Sequence, residues 1–391
     1  MDASTSISLN ASNLVSLNVL SETPGSEEEY ELDEQDPGCV DLSAEACKPL
    51  SERACKTLKN SVHHTKSYYP SSTPLVLKMT KRIKKKTFSI DIRTFTCSLD
   101  LIITNSGSGK KILFLVSYTP PDPSNPIYNR LCELIEDLAV MGNHCSNLKN
   151  KEKLSGRMSG VGFQGGYEDG KTAGTYATQK NLPPAQQALD DIFQQKLASH
   201  NELVKECIRH FSPDAHEQKR KALEDFSIPS WSNKEWESSK NNPEPVASNV
   251  IVTLNDFSNK PHCEKDKNVF TYGIFSYINR KTGSPILPPS NEFGHALRFP
   301  DYDCNIEFGR LPGIVEVFWK SNDISHHTVG PPAELKTTKD TTHHGCSFQI
   351  SHTLVSRSIS LKDLSPDKKK QKTMCQSERS STKPTKKQKV S

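Results

Sequence analysis

Apolar positions along this chain change period twice, from strand spacing to helical spacing and back to strands. Two short apolar runs, Cys97 to Thr104 and Lys111 to Ser117, flank Asn105-Ser-Gly-Ser-Gly-Lys110 and predict a β-hairpin. The Gly-Lys there is followed by another Lys and lacks the upstream glycine of a phosphate-binding loop, so the hairpin reading stands. After the break Pro120 to Pro126, Leu131, Leu134, Ile135 and Leu138 fall on one face of a short helix. The strongest helical pattern runs from Pro183 to Phe211, with Leu189, Ile192, Phe193, Leu197, Val204, Cys207, Ile208 and Phe211 at helical spacing. Ser212-Pro213-Asp214 caps a second helix over 213–225. The period then shortens. Apolar runs at 249–254, 269–278, 296–299, 304–308, 313–319 and 346–351, divided by Pro, Gly, Asn and Asp, predict many short strands. Such a series argues for a sandwich or jelly roll. The fold class expected is therefore α+β, with helices buttressing a β core.

Composition changes this picture mainly at the ends. Hydrophobic residues make up 34% of the 391 and the mean hydropathy is −0.63, low for a chain folded throughout. Net charge is only +4, but the first 60 residues hold 12 acids against 4 bases, and the last 30 hold 10 Lys/Arg against 3 acids. The expectation is a disordered acidic, Ser-rich segment over 1–72, one domain over 73–364 with its metal core at 249–360, and a disordered Lys-rich tail over 365–391. The 11 cysteines are scattered, with no Cys-x-x-Cys, which argues against a zinc finger. No apolar leader and no membrane-length run stand out, so a reducing compartment, cytosol or nucleus, is expected. Lys383, Lys386, Lys387 and Lys389 read as a nuclear import signal or as phosphate contacts, and Lys81 to Lys86 as further phosphate contacts. Trp231 and Trp236 read as packing residues.

Two further patterns bear on chemistry. Gly160-Val-Gly-Phe-Gln-Gly165 and the following Gly166 to Gly174 form a glycine-rich stretch. It lacks the preceding strand of a dinucleotide site and reads as a loop against substrate or cofactor, or as a plain turn. More telling is His262-Cys-Glu264 between two strongly apolar strands, with His326-His327-Thr328 just beyond a later one. Two imidazoles and one carboxylate on one face of an octahedron leave the other positions open, as non-haem iron(II) chemistry needs.

The region from about Gly160 to Arg357 resembles the Tet/J-binding-protein group of iron(II)/2-oxoglutarate dioxygenases, in particular the fungal Tet-like branch. The likeness is carried by Gly165-Gly-Tyr-Glu-Asp-Gly-Lys-Thr-Ala-Gly174, His262-Cys-Glu264, Phe299-Pro-Asp-Tyr302, Gly313 to Trp319 and His326-His-Thr328. It implies a double-stranded β-helix core and two cofactors, Fe(II) and 2-oxoglutarate as co-substrate. It also implies His262 and Glu264 as metal ligands, with His327 as the third and His326 as the alternative. For the far carboxylate of 2-oxoglutarate it implies Arg357, with His343 and Lys336 as alternatives. The activity implied is oxidation of a methyl group on a nucleic-acid base, foremost 5-methylcytosine in DNA, by a nuclear protein that binds nucleic acid and no membrane. Two alternatives stand beside it: an impaired copy that binds nucleic acid or a partner without turnover, and a dioxygenase acting on RNA or protein. Glu264 departs from the usual Asp by one methylene, about 1.5 Å, and the loop around it must compensate.

Overall fold

The computed structural model describes residues 75–79, 93–95, 101–105, 112–166, 170–179, 181–236, 244–286, 295–302, 304–308, 313–331 and 340–374, all within one unit of the chain, 46–391. The segment 1–72, the basic cluster Lys81 to Lys86, Lys336, and the lysines at 383, 386, 387 and 389 lie outside the described residues. The strands are β1 (Leu75–Met79), β2 (Arg93–Phe95), β3 (Leu101–Asn105), β4 (Ile112–Thr119), β5 (Lys153–Gly165), β6 (Ala173–Thr175), β7 (Asn249–Asn259), β8 (Thr271–Asn279), β9 (Ala296–Phe299), β10 (Cys304–Glu307), β11 (Ile314–Trp319), β12 (His327–Val329), β13 (Thr341–Gln349) and β14 (Thr373–Met374). The helices are α1 (Pro126–His144), α2 (Pro184–Phe211), α3 (Pro213–Asp225), α4 (His352–Leu361) and α5 (Pro366–Lys372).

Among the described residues, ten strands form one sheet in the order β1-β3-β4-β11-β8-β13-β7-β5-β6-β14, and four form a second in the order β12-β9-β10-β2. From β7 onward the chain alternates between them. β7, β8, β11 and β13 are neighbours in the large sheet. The segment around His262, then β9, β10 and β12, lies on the small side, where His262 pairs with His326 as an antiparallel bridge. This alternation of one chain between two facing sheets is a double-stranded β-helix.

The period-2 pattern of the sequence becomes two cores. Phe275, Tyr277, Val315, Val317 and Trp319 of the large sheet meet Leu297, Phe299, Cys304 and Ile306 of the small one in the lumen. Their neighbours Tyr272, Ile274, Ile278 and Phe318 point the other way and pack with Leu131, Leu134, Leu197 and Val204 of α1 and α2. Each large apolar side chain so buried contributes about 1.5–3 kcal/mol. Trp231 is fully buried and its indole N–H donates to Asn201 Oδ1 at 3.1 Å. The hairpin β3–β4 and helices α1 to α3 form where the sequence places them.

Three expectations are corrected. Gly160 to Gly165 is neither loop nor turn but the end of β5, a 13-residue strand paired antiparallel with β7. Glycine is required there by packing: a Cβ on Gly160 would stand 2.5 Å from the Tyr176 ring, and Gly162, at φ +95°, lies against Ser248 O and Trp231. The last strand starts at Thr341 rather than 346, which brings His343 and His344 into the sheet. Beyond the expected boundary at 364, Pro366–Lys372 is helical and Thr373–Met374 pairs in parallel with Ala173–Gly174.

Candidate metal centre

The loop after β7 is pinned to its surroundings by its own backbone. His262 N–H donates to His326 O (3.1 Å) and His326 N–H to His262 O (2.9 Å). Glu264 N–H donates to Ser321 O (2.9 Å) and Lys267 N–H to Ile350 O (2.8 Å). Asp266 N–H donates to Asn322 Oδ1 (3.1 Å). The segment is therefore a fixed rim of the barrel rather than a free surface loop.

On this rim both histidines are oriented alike. Nδ1 of His262 lies 2.9 Å from Lys260 O, and Nδ1 of His326 lies 3.0 Å from Ile324 O. A carbonyl can only accept, so Nδ1 carries the proton in each ring and Nε2 is left as the ligand atom. The rings are 4.8 Å apart between centroids. Glu264 Oε1 is 3.4 Å from His262 Nε2 and 3.5 Å from Gln349 Nε2. The ligand atoms of His262, Glu264 and His326 all lie within 4.8 Å of one another. Two imidazoles with one carboxylate suit non-haem iron(II). Glu264 reaches the cluster from a backbone held at Ser321 O.

The carboxylate of Glu264 and the imidazole of His262 favour each other's charged form. Burial favours a neutral Glu264, but the hydrogen bond and charge of His262 outweigh it and the carboxyl pKa is lowered. Burial equally disfavours a charged His262, yet Glu264 raises its pKa above the ordinary value. His326 is driven down to about 4, by burial first and by His262 second, so it is a neutral ligand at physiological pH.

Of the two histidines offered by the sequence, His326 joins the cluster and His327, the preferred one, does not. Strand parity gives the reason. His327 stands opposite Arg298, and Thr328 opposite Leu297. Leu297 and Phe299 face the lumen, so His327 and Arg298 face away from it and His326 faces in. His327 is instead tied by Nδ1 to Asn259 O at 3.1 Å. Arg357 lies exposed on α4, against Gly165. His343 does face the lumen, opposite Tyr277.

Between the metal cluster and His343 the lumen is filled by rings. Trp319 packs edge-on to His326 (centroids 5.4 Å), Phe275 tilts against Trp319 (6.5 Å), Phe308 stacks on Phe275 (4.4 Å), and His343 follows Phe308 (6.2 Å). The last strand offers Gly345 and Ser347 here, opposite Phe275 and Gly273. Neither can supply the cation that the far carboxylate of a dicarboxylate calls for. Nothing in the sequence pattern marked this filling, because the aromatic residues come from separate places in the chain: β8, β11 and the residue just past β10.

Residues 127–331, 205 of the 391, match the Tet-like 2OG-Fe(II) oxygenase superfamily, a span that includes all three clustered residues and ends before β13. No curated protein matches. Among solved structures the chain is similar to a prolyl-4-hydroxylase from Pseudomonas putida, at 8% identity over 60% of this chain and 92% of that one, with a TM-score of 0.29. It is also similar to a prolyl hydroxylase from Trichoplax adhaerens, in complex with a hypoxia inducible factor oxygen degradation domain peptide fragment. That overlap is at 9% identity over 64% and 87%, with a TM-score of 0.29. Overlaps this loose carry no argument about site or substrate.

Proposed function

Because the chain belongs to the Tet-like 2OG-Fe(II) oxygenase superfamily, whose cofactors are Fe(II) and 2-oxoglutarate, we propose that it oxidises a methyl group on a nucleic-acid base, foremost 5-methylcytosine in DNA. The observation that carries the reading is the grouping of His262, Glu264 and His326, whose ligand atoms lie within 4.8 Å of one another. Bound there, iron(II) with 2-oxoglutarate supplies oxygen activation, coupling decarboxylation of the co-substrate to hydroxylation of a C–H bond. The protein's own residues do the rest. Lys260 O and Ile324 O fix the two rings with Nε2 inward, and Gln349 steadies the carboxylate of Glu264. Trp319 packs edge-on against the ring of His326. A base in duplex DNA must be flipped out to reach the rim, at a cost of a few kcal/mol. Lys383, Lys386, Lys387 and Lys389 are assigned to nuclear import and phosphate contact in this reading.

The test is a substrate panel. Methylated duplex DNA, methylated RNA and a peptide library are each incubated with the protein, iron(II) and 2-oxoglutarate, and products are identified by mass spectrometry. Oxidised 5-methylcytosine, absent without iron, is the expected outcome. Oxidation of RNA or peptide alone would remove DNA as the substrate.

A second reading, a copy that binds a partner without turnover, is favoured by the ring-filled lumen under His326. It predicts that the protein takes up iron(II) yet releases no succinate from 2-oxoglutarate with any member of the panel.

A further inference from the structure

A second group of metal-type ligands lies elsewhere in the same barrel. Asp256 on β7, His295 just before β9 and His343 on β13 place one ligand atom each within 4.8 Å of one another. The chain bends to achieve this. Asn255 and Asp256 both have φ +57°, and the register of β7 against β5 shifts between Ser155 and Arg157. His295 Nε2 stands 3.3 Å from Asp256 Oδ1. Two ligands at about 2.0–2.1 Å from a tetrahedral ion stand about 3.3–3.4 Å apart.

The surroundings complete the group in the way metal sites are completed. Tyr277 Oη lies 2.8 Å from His295 Nδ1 and fixes that ring with Nε2 toward Asp256. Arg280 donates to Asp256 Oδ2 at 2.9 Å and Thr342 Oγ1 to Oδ1 at 3.3 Å, which orients the carboxylate. The independent observation is His343. Its side chain is fully buried, its ring stands 4.5 Å from that of His295, and neither ring nitrogen has a hydrogen-bond partner. Leaving buried polar atoms unpaired costs about 1–3 kcal/mol each, and an ion would satisfy the two imidazoles together.

We propose that Asp256, His295 and His343 form a second metal site, separate from the rim cluster, that takes a divalent transition ion of the zinc class. Two imidazoles and one carboxylate with a fourth position for water is a common zinc donor set, and N/O sites prefer zinc to iron(II). Asp256, whose side chain is 20% exposed, gives the ion its way in. The site is structural in this reading: it ties β7, β13 and the start of β9 at one position, joining the large sheet to the small.

The test is zinc uptake by the full chain after chelation and gel filtration, with the metal counted by mass spectrometry. Asp256→Asn is expected to bind one equivalent fewer than the wild type, with an unchanged circular dichroism spectrum, while His262→Ala loses a different equivalent. The two variants combined lose both. A wild-type count that Asp256→Asn does not lower would overturn the proposal. If Asp256→Asn fails to fold, zinc X-ray absorption of the His262→Ala variant decides the matter. Nitrogen and oxygen neighbours at about 2.0–2.1 Å, two of them imidazole, support the site. Sulfur neighbours, or no retained zinc, sink it.

Discussion

At the scale of single residues, the centre turns on His326 and Glu264. The dipeptide His326-His327 is ambiguous as text because either ring can follow a strand into a metal site. What decides it is parity, and parity depends on which partner residues, Leu297 and Phe299 or Arg298, face the lumen. That pairing spans about thirty residues of chain and is not written locally. His262 and Glu264 were legible because one local turn carries both. Glu264 leads to a prediction against intuition. Its amide is pinned to Ser321 O, so Glu264→Asp, which restores the common residue, withdraws the carboxylate by about 1.5 Å. Sites tolerate about 0.5 Å. Iron(II) affinity of Glu264→Asp is therefore expected to fall about tenfold or more in an anaerobic titration. An equal or tighter affinity would show that the loop is not fixed.

At the scale of elements, the sequence was legible wherever apolar period and burial agree. Helix α2 shows its helical period openly, and strands β8 and β11 stand out as unbroken apolar runs buried along their length. It failed at β5 and at the start of β13. Lys153 to Met158 is polar and the rest of β5 is rich in glycine, so no apolar stripe announces a strand. Thr341-Thr-His-His344 is polar in text but buried throughout, because it lines a barrel with polar groups in its wall. The glycines of β5 give an element-scale test. Gly162→Ala places a Cβ 2.8 Å from Ser248 O at φ +95°, a backbone conformation that non-glycine residues adopt at a cost of about 1–3 kcal/mol. With the clash added, we expect denaturant unfolding to show a loss of about 2–4 kcal/mol without loss of helical signal. A loss under 0.5 kcal/mol would mean that β5 is not packed as described.

At the scale of the whole molecule, the barrel wall carries neutral imidazoles, and this ties stability to pH. Burial lowers the pKa of His344 to about 3 and that of His343 well below its ordinary value, against about 6.5 in an unfolded chain. Below pH 6.5 the unfolded chain thus binds more protons than the folded one, so stability falls as pH falls. Each histidine held neutral contributes a slope of about 1.4 kcal/mol per pH unit in that range. In the presence of a chelator, the melting temperature should drop steadily from pH 7 to pH 5, and His344→Gln should flatten the slope. A melting temperature independent of pH over that interval would contradict the burial of these rings. A sandwich or jelly roll was legible from the run of short strands, and the double-stranded β-helix from the family resemblance, whereas the ring-filled lumen was not, since Phe275, Phe308 and Trp319 meet only once the sheets face each other.

The claim on which the account rests is that His262, Glu264 and His326 hold iron for an oxygenase of this family. It is tested most directly by iron(II)-dependent succinate release from 2-oxoglutarate, compared between His326→Ala and His327→Ala. The account predicts that His326→Ala loses iron binding and lowers succinate release at least about a hundredfold, while His327→Ala keeps its iron and most of its turnover. Full succinate release by His326→Ala, or loss of iron by His327→Ala in a folded protein, would contradict it.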